Sequence, residues 1–294
     1  MQLISFILVY PFVWMLSILP MRVLYMLSDV IYFFVYYIFG YRRKVVRNNL
    51  ILAFPNKSAK ERLWIEKESY SHFVDIFMEM IKSFTISQQQ ISRRFIFKNI
   101  DILNEYYKKD KGLIIMTAHY ANWEWVVNFT NLVPYSGYAA YKKIRNKYFD
   151  NKMKSSRTKF GANFIPTSEF MDLIQNNFDK KELAVYGLIS DQSPKLSKTH
   201  YWNDFMGVHV PIHTGAEMLA KKYNYPVLYF NTERVKRGYY VSNIEVLADV
   251  PNDFKDWEIT DIFLQKLEKQ IRNKPEFYFW THKRFKHAKD LEPA

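Results

Sequence analysis

The sequence predicts an α/β fold: a central mixed sheet flanked by helices, with an N-terminal membrane-associated helical region. Three observations carry this expectation. Residues Met1 to Met21 contain no charged side chain. From about residue 112, short apolar runs alternate with segments of helical spacing, the pattern of a sheet with a mostly parallel centre. Hydrophobic residues make up 49% of the 294, with 24 Phe and 22 Tyr, enough for a sizeable core.

The first apolar run, Leu3 to Leu19, approaches the roughly 20 residues that a membrane span needs. Pro11 should kink it, which a membrane helix tolerates better than a soluble one. A second run, Val23 to Tyr41, carries only Asp29 and ends in Arg42, Arg43, Lys44 and Arg47. Tyr10, Trp14, Tyr25, Tyr32, Tyr36 and Tyr37 suit a membrane–water interface, and the basic cluster assigns the body of the protein to the cytoplasmic side. No signal-peptide n-region or cleavage site is evident. Residues 1–41 are therefore assigned to a membrane anchor or pair of interfacial helices, and 42–294 to a catalytic domain. Hydropathy leaves three arrangements open: one segment spanning, both lying in one leaflet, or two core helices of a soluble protein.

Residues 42 to 96 read as helical. Ser58 and Glu61 form a capping box ahead of Leu63, Ile65, Phe73, Ile76, Phe77 and Met80, which recur at helical spacing. Gly112 to Ala118, Tyr138 to Tyr141, Leu183 to Ser190 and Val227 to Val235 read as strands. Ser168 to Asn177, Thr214 to Tyr223 and Ile259 to Arg272 read as helices. Lys236-Arg237-Gly238 predicts a late hairpin.

The net charge of +13 suits a polyanion: nucleic acid, an anionic membrane surface or a phosphorylated substrate. The uncharged N-terminal run and the absence of a nucleic-acid motif speak against the first. There is no cysteine, so disulfides, thiolate metal sites and cysteine nucleophiles are excluded. No metal site is expected: the seven histidines are scattered, and no His-Glu-x-x-His or glycine-rich phosphate loop is present. No Gly-x-Ser-x-Gly elbow marks a serine esterase.

The segment Gly112-Leu-Ile-Ile-Met-Thr-Ala-His119-Tyr-Ala-Asn-Trp-Glu124 carries the chemistry. A strand that delivers His119 to its end places a base at a site mouth. Glu124 is expected to hold the imidazole in one tautomer, as the carboxylate of a serine hydrolase does, with the substrate's own hydroxyl in place of the serine. On spacing alone a His-x4-Glu pair is a weak signal, and a capped helix start with an incidental histidine is the alternative. Lys142 and Arg145 are candidate phosphate-binding residues. Arg157 and Lys159 belong to a basic run, Lys152 to Lys159, expected to face lipid headgroups, although Arg157 is also a candidate oxyanion donor, as is a backbone amide near Asn122. Asp191 and Gln192 follow a buried strand, a frequent place for a site in an α/β sheet. A loop-fixing role for Asp191 is the alternative. Glu217 falls in a first helical turn, where the dipole alone favours a carboxylate.

Five ordered blocks resemble the bacterial lipid A biosynthesis acyltransferases, from about Leu19 to Lys286. They are Thr117-Ala-His-Tyr-Ala-Asn-Trp-Glu124, Tyr141-Lys-Lys-Ile-Arg-Asn146, Gly187-Leu-Ile-Ser-Asp-Gln-Ser-Pro194, Phe205-Met-Gly207 with Thr214-Gly-Ala-Glu217, and Phe279-Trp-Thr-His-Lys-Arg-Phe-Lys286. Lys143 and Ala216 stand where that family commonly has proline. The resemblance implies a membrane-bound O-acyltransferase. It would move a fatty acyl chain from acyl carrier protein, or coenzyme A, to a hydroxyl of a lipid A precursor. No cofactor is implied beyond the donor substrate. His119 would be the general base and Glu124 its partner; Lys142, Arg145, Arg157, Asp191 and Gln192 would bind or orient substrate. The implied partners are acyl carrier protein, an anionic lipid acceptor and the cytoplasmic face of the inner membrane. Alternatives are a lysophospholipid or aminolipid acceptor, or a non-catalytic lipid-binding protein.

Overall fold

The computed structural model of the protein describes residues 1–288. The chain opens with two apolar helices, α1 (Gln2–Ile18) and α2 (Met21–Phe33), the second running on as a π-helical turn, Phe34–Ile38. Pro11 lies inside α1 without ending it. Among the described residues, Met21–Ile38 is the helix long and apolar enough to cross a membrane by length and composition. α1 falls one residue short of 18. Both helices lie against the body of the protein. Met21, Leu24 and Tyr36 join the same buried core as the sheet, whereas Leu8, Phe12, Met15, Met26, Val30 and Phe33 are exposed.

Next come α3 (Arg43–Ala53) and the long α4 (Ala59–Lys82). The predicted capping box starts α4: the Ser58 backbone N–H donates to Glu61 Oε2 at 2.7 Å, and the Glu61 N–H donates to Ser58 Oγ at 3.2 Å. At the other end, Lys82 is buried, and its ammonium donates to the carbonyls of Ser17 and Leu19, each at 2.8 Å. α1 has no basic residue in its last turn, so this borrowed cation satisfies its orphan carbonyls and complements its dipole.

Two short helices, α5 (Gln88–Ser92) and α6 (Asp101–Tyr107), flank β1 (Phe95–Lys98). The remaining chain alternates: β2 (Leu113–Thr117), β3 (Ser136–Tyr141), α7 (Lys147–Thr158), β4 (Ala162–Pro166), α8 (Phe170–Asp179) and β5 (Ala184–Ile189). Then follow β6 (Tyr201–Phe205), β7 (Val208–Ile212), α9 (Gly215–Tyr223), β8 (Val227–Lys236), β9 (Tyr239–Ala248) and α10 (Glu258–Asn273). Seven strands form one sheet in the order β1-β9-β8-β2-β5-β3-β4. Every pairing in it is parallel except β8 with β9, the predicted hairpin. β2 sits between β5 and β8, and all five of its residues are buried, as a central parallel strand covered on both faces requires. β6 and β7 form a separate hairpin across Met206 and Gly207, both at positive φ, as a tight two-residue hairpin turn demands.

Several elements are absent from the sequence-based expectation. β1 takes the end of the stretch read as helical, and β4, α6, α7 and the β6–β7 hairpin lie between the expected segments. β2 and β5 are paired in register, Thr117 opposite Ile189, and the Ser190 N–H donates to Thr117 O at 3.1 Å. The chain leaving each strand therefore emerges beside the other, at the carboxyl end of the sheet. That position is where open α/β sheets build sites.

Candidate active site

His119 lies two residues beyond β2, and Asp191 two residues beyond β5. Their juxtaposition follows from the strand pairing. His119 Nδ1 donates to Asp191 Oδ1 at 2.8 Å, and the backbone N–H of His119 donates to the same oxygen at 3.1 Å. Asp191 is 1% exposed. Burial pushes its carboxyl pKa up, but the imidazole and the backbone N–H outweigh this and hold it below the ordinary value. With Nδ1 occupied, His119 Nε2 keeps its lone pair, and the Gln192 side-chain nitrogen stands 3.5 Å away. Trp123 packs edge-on to the imidazole and Phe279 stacks on it, with ring centroids 5.4 and 5.7 Å away.

The expected His119–Glu124 pair is corrected by this geometry. Glu124 instead receives the guanidinium of Arg157 side-on: Nε to Oε2 at 3.0 Å and Nη2 to Oε1 at 2.7 Å. The reason is topological. The neighbouring strand supplies a carboxylate to Nδ1, while the chain after Ala121, at φ +50°, turns Glu124 toward α7. Arg157 accordingly does not face outward with its basic run. It lines the same cavity as His119, Glu124 and Gln192.

That cavity measures about 1050 Å³. Apolar side chains including Val126, Phe129, Ala139, Phe164, Leu219 and Phe230 form its walls, and Lys142, Lys154, Lys195, Lys198 and His200 also line it. Lys142, Lys195 and Lys198 are exposed, which sets a basic rim on an apolar interior. Arg145 is not part of the lining; it is exposed, and its carbonyl accepts from Gln2 of α1 at 3.2 Å. Asp150 shapes the loop that carries Lys142, accepting from the Ile144 N–H at 2.8 Å and the Tyr141 hydroxyl at 3.0 Å. Lys195, Lys198 and His200 escaped sequence reasoning because their placement follows from the turn after Pro194. Among the described residues, no group of three or more His, Asp or Glu is arranged to hold a metal ion. Glu217 is buried and accepts from the backbone N–H groups of Trp257 and Thr260, at 2.6 and 2.9 Å; it caps α10 rather than entering the site.

The loop around His119 is fixed from beneath. The His119 carbonyl accepts from Phe279 N–H, and Ala121 N–H donates to the Phe277 carbonyl. His72 of α4, 3% exposed, donates from Nε2 to the Ala121 carbonyl at 3.1 Å and accepts from Arg234 at Nδ1, also at 3.1 Å. His72 must therefore be neutral; burial and then Arg234 push its pKa down to about 3. An unfolded His72 binds a proton near its ordinary value of 6.5 while the native one does not, so its contribution to stability falls as pH drops from about 6.5 toward 3. Between pH 7 and 5 the native protein should lose about 2 kcal/mol more stability than a His72→Gln variant. Denaturant unfolding of both proteins at the two pH values measures the difference.

Comparison with known proteins identifies the family. The chain is 22% identical over 262 residues to the lipid A biosynthesis lauroyltransferase of Escherichia coli K12, covering 86% of this chain and 82% of that protein. The family model for bacterial lipid A biosynthesis acyltransferases matches residues 2–287, a span that takes in the apolar helices, His119, Asp191, the basic rim and the Trp280–Phe285 segment. With a match across nearly its whole length, the chain belongs to the bacterial lipid A biosynthesis acyltransferases.

Proposed function

We propose that this acyltransferase moves a fatty acyl chain from acyl carrier protein, or from coenzyme A, onto a hydroxyl of a lipid A precursor at the cytoplasmic face of the inner membrane. The observation that carries the reading is the His119–Asp191 pair opening onto a large apolar cavity with a basic rim. The cavity is at or above the upper end of the roughly 300–1,000 Å³ typical of small-molecule pockets, which leaves room for a hydrocarbon chain.

His119 Nε2 takes the proton of the acceptor hydroxyl as its oxygen attacks the thioester carbonyl. Asp191 balances the resulting imidazolium. The tetrahedral intermediate then collapses, the C–S bond breaks, and the departing thiolate recovers the proton from His119. One ester and one thiol result. Negative charge on the carbonyl oxygen needs a donor, and Arg157, held rigid by Glu124 inside the cavity, supplies one. Lys142, Lys195 and Lys198 at the rim suit acceptor phosphates or the donor's phosphopantetheine. The exposed apolar residues of α1 and α2 suit insertion into one leaflet, where the acceptor resides.

Mass spectrometry of lipid A and phospholipids from cells with and without the protein tests this. Loss of one acyl chain from lipid A alone supports the reading, and the mass difference gives the chain length. Loss of an ester from another lipid class moves the acceptor; loss from none, together with no transfer by the purified protein, overturns it. Chain selection should follow the cavity wall. Replacing Ala139 by leucine adds bulk where small residues leave room and should shift the product toward acyl chains shorter by about two to four carbons, on the scale of roughly 0.8 kcal/mol per methylene no longer accommodated. Competition between acyl donors of graded length checks this.

A further inference from the structure

α2 and the His119 loop meet at the same buried carboxylate. Glu79 of α4 is 0% exposed and accepts three side-chain donors. The Tyr25 hydroxyl of α2 reaches Oε1 at 2.6 Å. The Tyr240 hydroxyl of β9 reaches Oε2 at 2.8 Å. The Asn122 amide reaches Oε2 at 2.5 Å. Asn122 is itself fully buried, and its Oδ1 accepts from the Trp125 N–H at 2.7 Å. It stands three residues after His119 and directly after Ala121, whose positive φ is a sparsely populated conformation for alanine that only surrounding contacts sustain.

One helical face of α4 repeats the arrangement. His72 holds the Ala121 carbonyl, and Asp75 accepts from the Ser28 hydroxyl of α2 at 2.7 Å and from Arg237. Tyr25 is packed on two further sides. Its ring lies under the Arg237 guanidinium, and its hydroxyl presses so close to Gly238 that an added Cβ there would come within 2.1 Å of it. Burial pushes the Glu79 carboxyl up to about 7 despite the Tyr25 hydrogen bond, so the group depends on these donors to be accommodated at all.

We propose that Glu79 is a positioning residue through which α2 sets the placement of the His119 loop, so that the N-terminal helices help to build the active site as well as to meet lipid. Asn122 completes the connection. The consequence for catalysis rests on the acyltransferase reading; the consequence for the His119 loop does not.

The test uses the full chain in detergent micelles. Tyr25→Phe removes one hydroxyl from Glu79 and leaves Tyr240 and Asn122 in place. Tyr36→Phe, in the π-helical turn that continues α2, serves as the control, because it removes a hydroxyl that ends on Glu66 of α4 instead. The ring resonances of ¹⁵N-labelled histidine are recorded for each, with His119→Gln providing the assignment, alongside kcat, KM and the unfolding temperature. In Tyr25→Phe the His119 resonances should move and broaden while those of His209, on the separate β6–β7 hairpin, stay in place, and kcat should fall about tenfold with KM within about twofold. Tyr36→Phe should lower the unfolding temperature without moving His119. Should Tyr25→Phe fail to fold, Tyr240→Phe takes the other phenol off Glu79 and should move the same resonances. Unmoved His119 resonances in whichever of these variants folds overturn the proposal. If the native protein itself transfers no acyl group, the functional reading fails, and the resonances still decide the positioning role.

Discussion

Replacing His119 by alanine should lower kcat by about 10²- to 10⁴-fold, the range over which a positioned general base acts. The change is local. The imidazole is 21% exposed and faces the cavity, so its loss leaves no sealed void and should shift the unfolding temperature little. It does take the imidazole away from Asp191, leaving a buried charge short of one partner, which costs some stability but not the fold. Single-turnover acyl transfer with purified protein, run beside thermal unfolding, separates the two effects. A variant that transfers at the native rate removes His119 from the mechanism.

Asp191→Asn is the second large effect, with an expected loss of about 10³- to 10⁴-fold in kcat by analogy with carboxylate-to-amide changes in histidine-based hydrolases. The amide preserves shape but can present an N–H to Nδ1, which favours the wrong tautomer and leaves the imidazolium without its counter-charge. Because Asp191 is almost fully buried and held below its ordinary pKa, it is ionised throughout the neutral range in the native protein. Glu124→Gln should behave differently. It weakens the grip on Arg157 without touching Nδ1, so the loss of rate should arise from the developing oxyanion and not from the base. The pH profiles of kcat/KM distinguish them: Glu124→Gln should keep the ascending limb of the native enzyme, and Asp191→Asn should displace it. If Glu124→Gln displaces that limb and Asp191→Asn does not, the pairing seen here is not the one used in catalysis.

The sequence makes the local parts of this molecule legible and hides the parts that depend on strand order. The run Leu113 to Thr117 reads as a buried strand because all five residues are apolar or small, and Lys236-Arg237-Gly238 reads as a turn because Gly238 supplies the positive φ. The Ser58–Glu61 capping box forms as its spacing dictates. β4, Ala162-Asn-Phe-Ile-Pro166, is missed because it is short, lies at the sheet edge and ends in proline. α7 is missed because its Lys- and Asn-rich sequence has too few apolar positions to show a helical period; its start is fixed by the Asn146 side chain, which accepts from the backbone of Tyr148 and Phe149. His119 is legible as a strand-end base. Its partner is not, because a carboxylate five residues away and one 72 residues away compete for Nδ1, and the β2–β5 register decides between them. The same register draws Arg157 inward through Glu124, which charge patterning alone assigns to the surface.

Lys82 carries a consequence for how firmly α1 is held to the folded body. Its ammonium is bound to the last carbonyls of α1 yet belongs to α4, within the folded body. α1 has no charge of its own, so apolar composition alone would let it plunge lengthwise into a bilayer. That path would strip the carbonyls from Lys82 and forfeit charge-assisted hydrogen bonds worth roughly 1.5–3 kcal/mol each. At its other end, Gln2 is hydrogen-bonded to Arg145 and Asn146 at the foot of α7. Tethered at both ends, α1 is moored to the folded body by two sets of hydrogen bonds, so a bilayer that engaged it would engage that body as well.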